Sequence, residues 1–194
     1  PEWDVVVYEM GNYISYGSCG LPYFIGGVVE KSDNLITLTK EMILKDRKVV
    51  VKTNHKVTSV DFTNKKVVIQ NIEEKSEFQD TYDYLMIATG AKARIPASLR
   101  IDHPHIFELH TIDDSIHIKE IVQQQNFKTG IIIGSGYIGL EMIEAYQSLG
   151  VKDITVIGQL LFPPHTQKSI INELNAHGIQ HINKLVSTIK IAEN

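Results

Sequence analysis

The sequence predicts an α/β fold, in which apolar strands alternate with helices as a parallel sheet requires. Three observations predict it. Val5-Val-Val-Tyr-Glu9 is an apolar run closed by a carboxylate. Gly130-Ile-Ile-Ile-Gly134 runs into Gly134-Ser-Gly136-Tyr-Ile-Gly139, and a helical stretch, a glycine stop and a further strand follow. Tyr84-Leu-Met-Ile-Ala88 is a third apolar run, ending in Thr89-Gly90. Together they predict two Rossmann-like dinucleotide-binding domains, both read as incomplete, with a small β-rich hairpin insertion.

Each element follows in turn. Residues 5–9 read as a buried strand, and a terminal acid there receives a ribose hydroxyl in a dinucleotide-binding βαβ unit. The first strand and glycine-rich turn of that unit belong about 20 residues before the acid, so the chain is read as starting after its first fingerprint. A helix is expected over 39–46, capped by Thr37 or Thr39 with Glu41 in its first turn, and a strand over 49–53. Residues 57–62 and 66–70 alternate around Thr63-Asn-Lys65, the pattern of a hairpin, with a further short strand over 78–82. Residues 84–88 read as a buried strand and 105–109 as a short crossing strand. Residues 112–125 read as a helix with Asp113 and Asp114 at its positive end. The domains are expected at 1–110, lacking an N-terminal βα fingerprint, and at 111–194, lacking a C-terminal part.

The fingerprint Gly134-x-Gly136-x-x-Gly139 has a mechanical reading. The first glycine permits the tight turn, the second lets the backbone approach a pyrophosphate, and the third lets helix and strand pack closely. Amides at the helix start then face the phosphate charge. Gly150 stops the helix, and Asp153-Ile-Thr-Val-Ile157 is the next strand. Gly158-Gln159 follows it, where an acid would mark an NAD site and a nearby arginine an NADP site. Neither is present, so NADH and NADPH both remain open.

Composition bounds the partners. Of 194 residues, 43% are hydrophobic and 22% charged, enough for a packed core. A net charge of −4 argues against nucleic acid or an anionic membrane as partner. No apolar run nears the roughly eighteen residues of a membrane span, and no leader pattern opens the chain. The eight histidines have no metal-ligand spacing, so no metal is expected.

Cys19 is the single cysteine. It excludes an internal disulfide and fits a reducing cytoplasm. Glycine, serine and proline surround it in Ser15-Tyr-Gly-Ser-Cys19-Gly-Leu-Pro22. That is the composition of a shaped loop, with Pro22 at a first helical position; a helix start stabilises a nearby thiolate. A lone cysteine more often packs as a small hydrophobe, and the flanking glycines are what favour chemistry here. Tyr13, Tyr16 and Tyr23 suit a cofactor pocket or plain packing equally.

These motifs resemble the single-cysteine pyridine nucleotide–disulfide oxidoreductases: coenzyme A disulfide reductases and the related NADH oxidases and peroxidases. Residues 14–26 with Cys19-Gly-Leu-Pro-Tyr23 resemble the active-site segment, residues 84–90 the strand that meets the flavin, and residues 134–141 the NAD(P)H fingerprint. The resemblance implies FAD in the first domain and NADH or NADPH in the second. Glu9 then matches the acid on the FAD ribose, Val57 a residue near the adenine, and Thr89 and Gly90 the turn at the flavin. Gly134, Gly136, Ile138, Gly139 and Glu141 match the nicotinamide nucleotide site. Glu141 is read equally as a surface or capping residue.

The resemblance also implies that Cys19 is the redox residue, held as a mixed disulfide with coenzyme A or as a sulfenic acid. Ser15, Ser18 and Lys48 match substrate-binding positions. The expected function is flavin-dependent reduction of coenzyme A disulfide or a related persulfide or polysulfide. NADH oxidase or peroxidase activity on oxygen or peroxide is the alternative, and a non-catalytic nucleotide-binding module the reading from another class. A homodimer is implied for the full-length protein.

Overall fold

The computed structural model describes residues 3–191; the outermost residues of the two expected domains, 1–2 and 192–194, lie outside it. In chain order the elements are β1 (Val5–Tyr8), β2 (Ser15–Tyr16), α1 (Leu21–Ile25), β3 (Ile36–Leu38), α2 (Lys40–Arg47), β4 (Val49–Lys52), β5 (His55–Asp61), β6 (Lys66–Asn71) and β7 (Ser76–Thr81). Then come α3 (Ile112–Gln125), β8 (Thr129–Ile133), α4 (Tyr137–Ser148), β9 (Asp153–Ile157), α5 (Pro164–Ala176) and β10 (Gln180–Ile182). They fall into two compact units: Pro1–Gly17 with Ile36–Ala91, and Ser18–Leu35 with Lys92–Asn194. The units therefore divide the chain elsewhere than at residue 110.

In the first unit β1 pairs in parallel with β4, from Val5 opposite Val49 to Tyr8 opposite Lys52. β2 and β3 pair antiparallel, and β5, β6 and β7 form the expected hairpin sheet. Its turns are closed by side chains. Asp61 Oδ1 accepts from the Thr63 and Asn64 amides, and Asn71 Oδ1 from those of Glu73 and Glu74. Both are local side-chain-to-backbone bonds of the kind that favour turns. Thr39 caps α2 by accepting from the Met42 amide at 3.3 Å.

Two expected strands do not form. Residues 84–88 are irregular, and Met86 is 88% exposed. An apolar run becomes a strand only where a neighbour completes its ladder, and none pairs with it among the described residues. The valines of β1 are likewise exposed, Val6 at 43%, and among the described residues β1 pairs with β4 alone. Residues 105–109 begin in a turn and continue without regular structure.

The second unit contains a parallel sheet in the order β10-β9-β8, with β8 and β9 registered from Thr129 opposite Asp153 to Ile133 opposite Ile157. A capping box starts α3: Thr111 Oγ1 accepts from the Asp114 amide and Asp114 Oδ2 from that of Thr111. Ile132, Ile154 and Val156 of the sheet meet Ile118, Val122, Met142, Ile143 and Leu174 of the helices in one core. Ile25 of α1 belongs to the same core. No helix among the described residues is long and apolar enough to cross a membrane.

Candidate functional site

Cys19 is exposed. It lies in a 3-10 turn, Ser18–Gly20, that runs directly into α1. Gly20 packs closely in that turn: a Cβ there would stand 2.5 Å from Leu35 Cδ2, so the leucine side chain would have to shift. Leu21, Pro22, Phe24 and Ile25 bury α1. Lys119 of α3 donates to the Phe24 carbonyl at 2.7 Å, and its ammonium lies 4.2 Å from the Phe24 ring centroid. Burial draws the Lys119 ammonium below the ordinary lysine value. Gly26 approaches α4 so closely that its Cβ would stand 3.1 Å from Ala145 Cα. The short helix behind the thiol is thus anchored on α3 and α4, while the sulfur reaches solvent. Ser18 is exposed beside it.

The fingerprint turn belongs to the same unit. Gly134 has φ of 113°, the left-handed region that suits glycine, and its amide donates to the Ile157 carbonyl at 2.8 Å. Gly136 caps α4 in extended conformation, and a Cβ there would meet no atom within 4 Å. That open space suits an approaching phosphate. A Cβ on Gly139 would lie 1.9 Å from the Gly134 carbonyl oxygen, so the third glycine is what lets α4 sit against β8. Ile138 is exposed and Glu141 half-buried. Ser135 is only 2% exposed, and its hydroxyl has no hydrogen-bond partner.

The remaining expected residues lie in the first unit. Glu9 follows β1 directly, and its Oε1 accepts from the Gly11 amide at 2.6 Å. The Glu9 carbonyl accepts from the His55 amide at 2.9 Å, which brings the start of β5 to the acid. Val57 lies on that strand, exposed, beside an irregularity in the β5–β6 register. Ser15 and Thr37 join their hydroxyls across 2.7 Å. Lys48 ends α2 in left-handed conformation, its amide bonded to the Leu44 carbonyl. Thr89 and Gly90 lie in exposed irregular chain, with Gly90 at φ of 66°.

Sequence reasoning passed over Ser135, although it lies inside the fingerprint. It also passed over His181, whose Nε2 donates to the Gly158 carbonyl at 2.9 Å. Nothing in the spacing of residues 158 and 181 announces that contact.

A parallel βαβ unit with its glycine turn and an exposed thiol on a buttressed turn together define a nucleotide-dependent redox class. The pyridine nucleotide-disulphide oxidoreductase family matches residues 2–194, and the chain belongs to that family. It is 28% identical over 193 residues to a coenzyme A disulfide reductase of Staphylococcus haemolyticus, covering 96% of this chain and 43% of the relative. It is 36% identical over 159 residues to a CoA-dependent NAD(P)H sulfur oxidoreductase of Pyrococcus furiosus, covering 82% and 35%. The water-forming NADH oxidase of Lactobacillus brevis, solved with NADH, superposes with a TM-score of 0.85 at 27% identity, covering 94% of this chain and 41% of the other. The chain thus spans less than half the length of each.

Proposed function

We propose that the protein is a flavin-dependent NAD(P)H:disulfide oxidoreductase acting on coenzyme A disulfide or a related persulfide or polysulfide. The observation that carries the reading is the exposed Cys19 thiol on a turn braced by α3 and α4. The names borne by the Staphylococcus and Pyrococcus relatives support the substrate class.

The residues fit the two nucleotides. In the second unit, the open backbone at Gly136 and the close helix contact at Gly139 suit a pyrophosphate. In the first, the Glu9 carboxylate at a strand end suits the FAD ribose. By sequence, residues 1–110 are assigned to the FAD domain and 111–194 to the NAD(P)H domain. Val57, Thr89 and Gly90 are assigned to the flavin nucleotide, and Ile138 and Glu141 to the nicotinamide nucleotide. Ser15, Ser18 and Lys48 are assigned to the substrate.

Cys19 as thiolate attacks one sulfur of the disulfide. A bond forms between Cys19 Sγ and that sulfur, the old S–S bond breaks, and the other half leaves as thiolate. FAD, held by the first unit at Glu9, would supply the electron pair, drawn from NAD(P)H, that reduces the Cys19 mixed disulfide. Cys19 thiolate and a second thiolate product are released. The lone cysteine assigns the protein to the reducing cytoplasm, and the family resemblance implies a homodimer.

In the natural protein, Cys19→Ser is expected to abolish NAD(P)H-linked disulfide reduction while the purified protein stays yellow with flavin. Unchanged turnover in that variant would remove Cys19 from the mechanism. The likeness to the Lactobacillus oxidase supports a second reading, in which Cys19 cycles through sulfenic acid with oxygen or peroxide as acceptor. The mass of the purified protein separates the two: a coenzyme A adduct on Cys19 favours the reductase, an added oxygen the oxidase.

A further inference from the structure

We propose that the nicotinamide nucleotide site reads the adenosine ribose without charge, and so takes NADH and NADPH alike. The inference rests on the reading of the Gly134–Gly139 turn as a dinucleotide site. NAD-type sites place a carboxylate beyond the second strand, where it binds the ribose and repels a 2′-phosphate; NADP-type sites supply an arginine. In the first unit Glu9 stands directly after β1. The corresponding place after β9 is Gly158, and the structure explains why no acid stands there.

A Cβ on Gly158 would lie 2.9 Å from both the amide nitrogen and the hydroxyl of Ser135, and 3.3 Å from Gly134 Cα. The backbone has no freedom to retreat: the Gly158 amide donates to the Ile182 carbonyl at 3.0 Å, and its own carbonyl accepts from His181. A side chain at 158 would therefore push the fingerprint turn out of place. Ser135 is buried with its hydroxyl unsatisfied, so the space between the fingerprint turn and Gly158 is already filled and has no room for a further side chain. The next residues, Gln159-Leu-Leu-Phe162, carry no charge. Phe162 turns its ring edge-on to Tyr137 at 5.2 Å, which ties this uncharged loop to the start of α4. Residues 158–162 supply neither repulsion of a 2′-phosphate nor a cation for it.

Titrating the purified protein with NADH and with NADPH, following nicotinamide fluorescence at physiological salt, tests the proposal without turnover. Dissociation constants within about tenfold of each other are expected, since charge is the main discriminator between the two nucleotides. A preference beyond tenfold in either direction overturns the proposal and leaves the dinucleotide site intact. Binding of neither overturns both. Gln159 is exposed, so Gln159→Asp adds a charge without filling the crowded place at 158. NADPH binding is expected to weaken about tenfold while NADH holds within about threefold. An unchanged ratio in that variant would remove the loop from the ribose.

Discussion

Tyr8 donates to Asp80 Oδ2 across 2.5 Å and so joins β1 to β7. Lys52 lies over the Tyr8 and Phe78 rings at 5.6 and 5.2 Å. Burial, then the bond to Asp80 and its charge, hold the Tyr8 phenol above its ordinary value of 10.0. The bond from Tyr8, against some desolvation, holds the Asp80 carboxyl below 3.8. Folded Asp80 binds fewer protons than unfolded Asp80 in acid. Its contribution is therefore full above 3.8 and is lost as pH falls through the lowered value. Folded Tyr8 keeps a proton that the unfolded chain gives up, so stability declines as pH climbs past 10.0. Tyr8→Phe is expected to cost about 1–2 kcal/mol at neutral pH, as for a partly exposed bond to a charged group. It should also flatten both slopes, read by urea unfolding across a pH series. Wild-type slopes in the variant would show that the pair does not govern them.

At the scale of elements, the β8–turn–α4 unit makes a claim that two alanines separate. Gly139→Ala places a methyl 1.9 Å from a backbone oxygen and is expected to cost about 3 kcal/mol, the upper range for overpacking. Gly136→Ala adds a methyl where nothing lies within 4 Å, on an extended backbone any residue adopts. Its stability should change by less than about 0.5 kcal/mol, while NADH binding falls. Thermal unfolding and nucleotide titration read the two effects; equal stability losses would contradict the division of roles. This unit was legible in the sequence because each glycine answers a local constraint. The hairpin sheet was legible because residues 57–62 and 66–70 alternate around Thr63-Asn-Lys65. α5 was not foreseen: Pro164 at its start favours a helix, but the polar stretch His165-Thr-Gln-Lys168 that follows shows no apolar period. β10 has only three residues, too few to show a period. Residues 84–88 carry a strand's apolar pattern, but the pattern does not reveal whether a neighbouring strand is present to pair with it.

At the scale of the whole chain, the sequence order of motifs is not their grouping in space. The thiol-bearing stretch 18–35 belongs to the compact unit that holds the nucleotide fingerprint. Lys119 reaches Phe24 across 95 positions of sequence, a contact no local pattern encodes. What could be read was the chemistry: one sulfur among glycines and a turn shaped for a pyrophosphate. The steric bar at Gly158 could not be read, because it depends on where Ser135 comes to rest. The most direct measurement is the intact mass of flavin-loaded protein, first treated anaerobically with coenzyme A disulfide and then with NADH or NADPH. The account predicts a single coenzyme A adduct on Cys19 that is discharged when the reduced nucleotide is added. An adduct on no residue, or one that survives the nucleotide, would contradict it.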